Sequence, residues 1–170
     1  MLNFQHQKSE QTLKEGLVEF YSINPQFKTL VEKNNSNARV FKEHDYTHVL
    51  FGLGTSIEEE SLLDTYVIWG MKFNWGVIID FYKDPEYKEV IGDIVSKYGG
   101  YWGIFKIYLS LIPLKFKVFL RCLKMKRKWN YHEVTEDMLN TSLKDLRDEY
   151  NIDLIPLKDI PINRYANKSL

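Results

Sequence analysis

The sequence predicts an all-α fold in a single domain, and three observations carry that prediction. Capping side chains stand directly before prolines at Asn24-Pro25 and Asp84-Pro85, the expected opening of a helix. Ser56 is followed three residues later by Glu59, the spacing of a capping box. No segment shows a convincing alternation of apolar and polar residues with the period of a strand. At 170 residues the chain is long enough to bury a real core, and no repeat or low-complexity segment divides it.

Taken in order, helices are expected at about 9–22 and, behind Asn24-Pro25, at 25–33. A third, at 36–52, carries the apolar positions Val40, Phe41 and Phe51 and stops before Gly54, placed where a helix C-terminus favours a left-handed residue. The Ser56 box opens a fourth at 56–83, and Asp84-Pro85 opens a fifth at 85–97. Helices at 101–112, 114–128 and 136–149 complete the set. The tail from Asn151, with Pro156 and Pro161, is expected to be extended and irregular. Residues 1–8 and 157–170 are expected to be the loosely held ends.

Charge is balanced overall, 23 basic against 23 acidic residues, but not locally. No acidic residue lies between Asp93 and Glu133, whereas nine Lys and Arg do, leaving 14 basic against 23 acidic elsewhere, a net of −9. A basic block on an acidic body points to an anionic partner. Cys122 is the only cysteine, so no internal disulfide forms; it is read as a packing residue in a reducing compartment. The N-terminus has neither the apolar run of a signal peptide nor the arginines of a transit sequence. Tyr101 to Leu114 is the longest apolar stretch and is shorter than the roughly 20 residues of a membrane span.

The segment HDYTHVLFGLGTSIEEE, His44 to Glu60, concentrates titratable groups around a turn. His44 and His48 are one helical turn apart and project about 40° from each other, with Asp45 at the border of the same face. His48 lies six residues before Gly54 and Glu60 six after it. In an antiparallel helix pair both then stand about 9 Å from the bend, at one height. Two imidazoles and carboxylates suit Zn²⁺, Fe²⁺ or Mn²⁺, and an incomplete protein shell leaves a position for water or substrate. The plain alternative is that the histidines are core residues bonded to carbonyls and the glutamates are charges favoured at a helix start. Glu58 and Glu59 fit that description.

The same segment resembles the His-Asp-x-x-His-x(11)-Glu signature of the Coq4 family, proteins of ubiquinone biosynthesis: eleven residues separate His48 from Glu60, and FGLGTS is similar to the family's helix-ending turn. LKDLRDEYNI, Leu143 to Ile152, is a softer match to the family's C-terminal Leu-x-x-Leu-Arg segment. The resemblance implies an all-α fold and a divalent metal held by His44, Asp45, His48 and Glu60, the same four carrying any catalysis. Zinc is the metal usually named; magnesium, iron and manganese are the others expected here. It also implies an isoprenoid lipid or prenylated quinone precursor as ligand, peripheral membrane attachment, and work beside other quinone-biosynthesis proteins. The implied activity is removal of the C1 carboxyl of a prenylated hydroxybenzoate with hydroxylation of that position. The chain is shorter than mitochondrial members and shows no transit peptide, so the expected location is the cytoplasmic face of a bacterial membrane, or the mitochondrial inner membrane for a processed chain.

Tyr66, Trp69, Phe73 and Trp75 are too many bulky residues for one helical stripe. Tight packing explains most of them; a prenyl tunnel beside the metal, lined by Phe51, Tyr66, Trp69, Phe73, Trp102 and Phe105, would account for the excess, with Trp102 and Phe105 equally readable as core residues. Lys115, Lys117, Arg121, Lys124, Lys126, Arg127 and Lys128 are expected to face a membrane or another anionic surface. No recognition helix or RNA-binding aromatic signature is present, so nucleic acid is not the expected partner; a homodimer is left open. Two other functions compete with the metal enzyme: a non-catalytic lipid-presenting scaffold, and an HD-type phosphohydrolase. The second needs a further upstream histidine, where only His6 is present, and a downstream aspartate, for which Asp64 or Asp80 could serve. His132 is expected at the surface.

Overall fold

The structure, a computed structural model, describes residues 1–32, 38–72, 76, 92 and 95–161. The described residues are helical, with isolated bridges and no β-strand, as the sequence predicts. The helices are α1 (Leu13–Ile23), α2 (Pro25–Glu32), α3 (Ala38–Phe51), α4 (Ile57–Gly70), α5 (Gly100–Ser110), α6 (Ile112–Lys124), α7 (Glu136–Asn140) and α8 (Leu143–Tyr150). Most of the helix expected at 85–97 lies outside the described residues, as do Phe73, Trp75, Asp80, Asp84 and Pro85.

Several boundaries move, each for a local reason. The first helix begins at Leu13 because Thr12 and Glu15 form a capping box, with Glu15 N–H donating to the Thr12 hydroxyl and Thr12 N–H to the Glu15 carboxylate. α4 ends at Gly70 instead of running on to 83. Met71 is extended and forms a parallel bridge with Trp129, and a side chain at Gly70 would stand 3.0 Å from Met125 Sδ and 3.1 Å from Cys122 Sγ. The helix expected at 136–149 breaks at Thr141, and Ser142 recaps it by accepting from Asp145 N–H. The left-handed residue ending α3 is Gly52, with φ +65°, and not Gly54. Leu53 N–H donates to His48 C=O and Gly52 N–H to Val49 C=O, the paired bonds of a Schellman turn.

The core runs through Leu13 and Phe20 of α1, Val49, Leu50 and Phe51 of α3, Leu62 and Leu63 of α4, Val118 of α6 and Leu143 of α8, all fully buried. Helices α1 and α3 approach closely at Gly16, where an added Cβ would lie 2.5 Å from Val49 Cγ1. α3 and α4 form a hairpin, and α6 packs along α4.

The first residues are pinned instead of loose. Phe4 is buried, Asn3 and Phe4 N–H both donate to the Glu19 carboxylate, and Gln7 exchanges hydrogen bonds with Ile152 and Leu154. Arg147 completes the anchorage. Its buried guanidinium donates to the carbonyls of Phe4, His6, Val49 and Leu50, joining the N-terminus to the end of α3. The tail keeps the irregular form expected of it as far as Pro161, apart from a 3-10 turn at Leu157–Asp159.

Candidate metal centre

The Schellman turn and the Ser56 cap together bring α3 and α4 face to face. Glu59 holds the turn shut, its carboxylate accepting from Gly54 N–H at 2.7 Å and from the Ser56 hydroxyl at 2.8 Å. Glu59 thus has the helix-start role expected of it. Glu60, the next residue, projects toward α3, where His44 and His48 lie one turn apart. His44 Nε2 and His48 Nε2 are 3.1 Å apart; Glu60 Oε2 is 3.7 Å from the first and Oε1 3.4 Å from the second. Among the described residues these three form the cluster of histidines and carboxylates able to hold a metal ion.

The donor set fits such an ion. Donors about 2.1 Å from a tetrahedral metal stand about 3.4 Å from one another, close to the separations found here. His48 is also held as a ligand needs to be held. Its Nδ1–H donates to Gly54 C=O at 3.1 Å, which leaves the Nε2 lone pair facing His44 and Glu60. Phe20 of α1 stacks on the same imidazole, ring centroids 5.0 Å apart. His48 is nearly inaccessible, whereas the side chains of His44 and Glu60 keep 42% and 34% exposure, so the cluster is open on one side.

Without a metal, the electrostatics favour the charged form of His44 more than in a free imidazole. Burial works against charging this imidazole, but the facing Glu60 carboxylate outweighs it and the pKa ends above the ordinary 6.5. Burial pushes His48 down to about 4, against the pull of Glu60. Burial would raise Glu60, yet the two histidines hold it below its ordinary value. A divalent cation would replace the His44 proton while His48 stays neutral and ready to bind.

Asp45 does not join the cluster. It is buried, its Oδ2 accepts from the Tyr21 hydroxyl at 2.8 Å, and burial raises its pKa to about 6. Adjacent helical residues diverge by about 100°, which turns Asp45 toward α1 while His44 faces α4. Among the described residues the phosphohydrolase pattern is not assembled either. The carbonyl of His6 accepts from Arg147, and neither His6 nor Asp64 belongs to the cluster.

The expected tunnel residues that are described, Phe51, Tyr66, Trp69, Trp102 and Phe105, are dispersed. Phe51 and Tyr66 stack at 4.3 Å in the closed core, and the Tyr66 hydroxyl donates to Asp153 C=O. Trp69 is half exposed and packs on Phe119. Trp102 and Phe105 are exposed on α5, which buries none of its residues. The basic set also divides. Arg121 is largely covered, pairs with Asp153 and donates to the carbonyls of Asp153 and Leu154. Arg127 pairs with Glu149 and lies over the Tyr150 ring. Lys126 donates to Asp148 C=O near the end of α8, and Lys115 sits 4.2 Å over the Tyr108 ring. Lys117, Lys124 and Lys128 face solvent. His132, expected at the surface, is partly buried with Nδ1 2.7 Å from Glu43 Oε2.

The sequence reading missed Phe20, Tyr21 and the Gly54 carbonyl. The Thr12 capping box would have set the register of α1, but nothing in the sequence tells which helix packs on the histidines. No family model, curated protein or solved structure matches the chain.

Proposed function

We propose that this chain is a divalent-metal protein that acts at a lipid surface on a prenylated aromatic acid of quinone biosynthesis. The observation that carries the proposal is the convergence of His44, His48 and Glu60, with His48 turned and locked by the Gly54 carbonyl. The quinone pathway and its partner proteins rest on the resemblance of His44 to Glu60 to the Coq4 signature. Two imidazoles and a carboxylate favour zinc, with iron or manganese next, over magnesium, which prefers an all-oxygen shell. Bound there, the metal supplies a Lewis acid that polarises a substrate oxygen. His48 and its Phe20 cover hold one side rigid, and the exposed edges of His44 and Glu60 leave the other open to substrate.

The lipid part of the proposal draws on α5 and α6. Ile112, Phe116, Leu120 and Leu123 are exposed on one stripe of α6, roughly opposite Leu114, Val118 and Cys122, which are buried. α5 adds exposed Tyr101, Trp102, Phe105 and Leu109. Lys106 and Lys115 stand over aromatic rings at the edge of this apolar surface. Such a surface suits peripheral attachment, with apolar groups in the headgroup region and lysines toward anionic lipid. No helix among the described residues is long and apolar enough to cross a membrane.

The test is elemental analysis and lipid mass spectrometry of protein purified without added metal, beside His48→Ala and Glu60→Gln. One metal per chain, lost in His48→Ala, together with a co-purifying prenylated acid, is the expected result. Metal-free protein that also fails to take up added Zn²⁺ sinks the proposal. Turnover of a prenylated hydroxybenzoate abolished by Glu60→Gln assigns an enzyme. Lipid binding with no turnover in the native chain assigns a presenting scaffold.

A further inference from the structure

The basic block that follows α6 builds a second feature, whose lining shares no residue with the metal cluster. Trp129, fully buried, is pinned on both sides: its N–H donates to Gly70 C=O at 2.9 Å, and its C=O accepts from Lys72 N–H at 2.8 Å. That bridge sets Lys72 and Lys128 at the edges of a cavity of about 220 Å³, which Arg127, Asn130, Glu133 and Tyr150 also line. Arg127 is already matched by Glu149 and stands 4.2 Å over the Tyr150 ring, so it serves as a wall. Lys72 and Lys128 make no ion pair among the described residues. Asn130 Oδ1 accepts from His132 N–H at 3.3 Å, which leaves its Nδ2–H₂ as the end available to a ligand. Three cations thus line the cavity against one carboxylate, Glu133.

We propose that this cavity is a binding site for a single phosphate group. Two lysines from separate segments, Lys72 after α4 and Lys128 after α6, line the cavity together. That arrangement suits the several oxygens and the more than unit negative charge of a phosphate better than a planar carboxylate. The open cavity admits a phosphate and the start of its ester, and is too small for a nucleic-acid duplex. The phosphate can belong to a soluble monoester or to a phospholipid head group, and both share this chemistry.

The experiment uses the full chain treated with chelator, so that no metal at His44, His48 and Glu60 contributes. Inorganic phosphate is titrated by calorimetry, and flotation is measured with phosphatidylcholine vesicles with and without phosphatidic acid. Native chain is compared with Lys72→Gln/Lys128→Gln and with Lys72→Arg/Lys128→Arg, all checked for an unchanged thermal melt. A charge-assisted hydrogen bond lost from each lysine weakens binding about tenfold or more per position. Saturable phosphate binding lost in the Gln pair and kept in the Arg pair supports the site with a soluble ligand. Flotation that requires phosphatidic acid and is lost only in the Gln pair supports it with a lipid ligand. Binding in neither assay, or binding unchanged in the Gln pair, overturns the proposal. The metal analysis above stands or falls separately.

Discussion

Replacing Arg147 with methionine removes one guanidinium and, on the geometry, most of what ties the N-terminus to α3. The group is fully buried and makes four bonds: Nε to Leu50 C=O at 2.8 Å, and terminal nitrogens to Val49, Phe4 and His6 C=O at 2.8, 2.7 and 2.7 Å. It forms no ion pair among the described residues; its positive charge faces carbonyls, two of them at the C-terminal, negative end of the α3 dipole. Burial lowers its pKa from 12.5 to about 10, which sets the electrostatic cost of holding the charge inside at about 3 kcal/mol. Hydrogen bonds to a charged group are worth about 1.5–3 kcal/mol each, so four contribute about 6–12 kcal/mol and exceed that cost. Methionine keeps the bulk and the apolar stem, but leaves the Phe4 and Leu50 carbonyls without donors, while Val49 C=O keeps Gly52 N–H and His6 C=O keeps Ser9 N–H. Part of the loss is recovered as water reaches them, and the expected net destabilisation is about 3–5 kcal/mol, the range for breaking a buried charged contact. For a chain of this size that lowers Tm by about 10 °C. Urea unfolding followed by far-UV circular dichroism reads the change as a lower midpoint at unchanged slope. Arg147→Lys, whose single ammonium cannot span all four carbonyls, should fall between. An Arg147→Met chain within about 1 kcal/mol of the native one would refute the account, because two buried carbonyls left unpaired and four charge-assisted bonds lost cannot be that cheap.

Further outcomes follow from the site. Gly54→Ala puts a Cβ 2.7 and 2.9 Å from the Glu59 carboxylate oxygens; losing that cap costs about 1–2 kcal/mol, and disturbing the carbonyl that holds His48 weakens Zn²⁺ binding as well, both readable in melts with and without Zn²⁺. Zn²⁺ affinity should fall as pH drops through the raised pKa of His44, because proton and metal compete for Nε2, approaching tenfold per unit below it; calorimetry showing no change between about pH 8 and pH 6 contradicts this. In metal-free protein the sign is opposite: the His44 proton stabilises the fold below pH 6.5, and that contribution disappears as pH rises through the folded-state pKa. Asp45→Asn should leave metal stoichiometry intact, since Asp45 is bonded to Tyr21, and loss of the metal in that variant would restore Asp45 as a ligand.

The legible features of the sequence were local ones. Ser56 with Glu59, Asn24 with Pro25, and the count from His48 through Gly54 to Glu60 depend on helix pitch and turn chemistry alone, and they place the hairpin and its three donors. Asp45 stands outside the donor cluster because pitch places it only at the border of the ligand face, and its bond to Tyr21, 24 residues away in sequence, turns it to the other side. Arg147 was visible as part of a family-like segment, but its four carbonyl partners lie about a hundred residues or more away along the chain. The scatter of the described tunnel residues has a related cause. Aromatic content does not say whether a ring faces the core, as Phe51 does, or solvent, as Trp102 does. The length of the fourth helix was overread because the bridge between Met71 and Trp129, which stops it, joins residues far apart in sequence.

The turn between α3 and α4 also fixes what lengths of chain this protein can tolerate. Surface connections ordinarily accept insertions and deletions with little effect. Here both the carbonyl and the imidazole of His48 are bonded into residues 53 and 54, and Glu59 closes the same loop one residue before Glu60. One residue added to the helical part of the span would swing Glu60 by about 100° and lift it by about 1.5 Å, out of line with both histidines. The eleven residues between His48 and Glu60 therefore act as a ruler. A chain that drifts freely elsewhere should keep that interval as long as it keeps its metal.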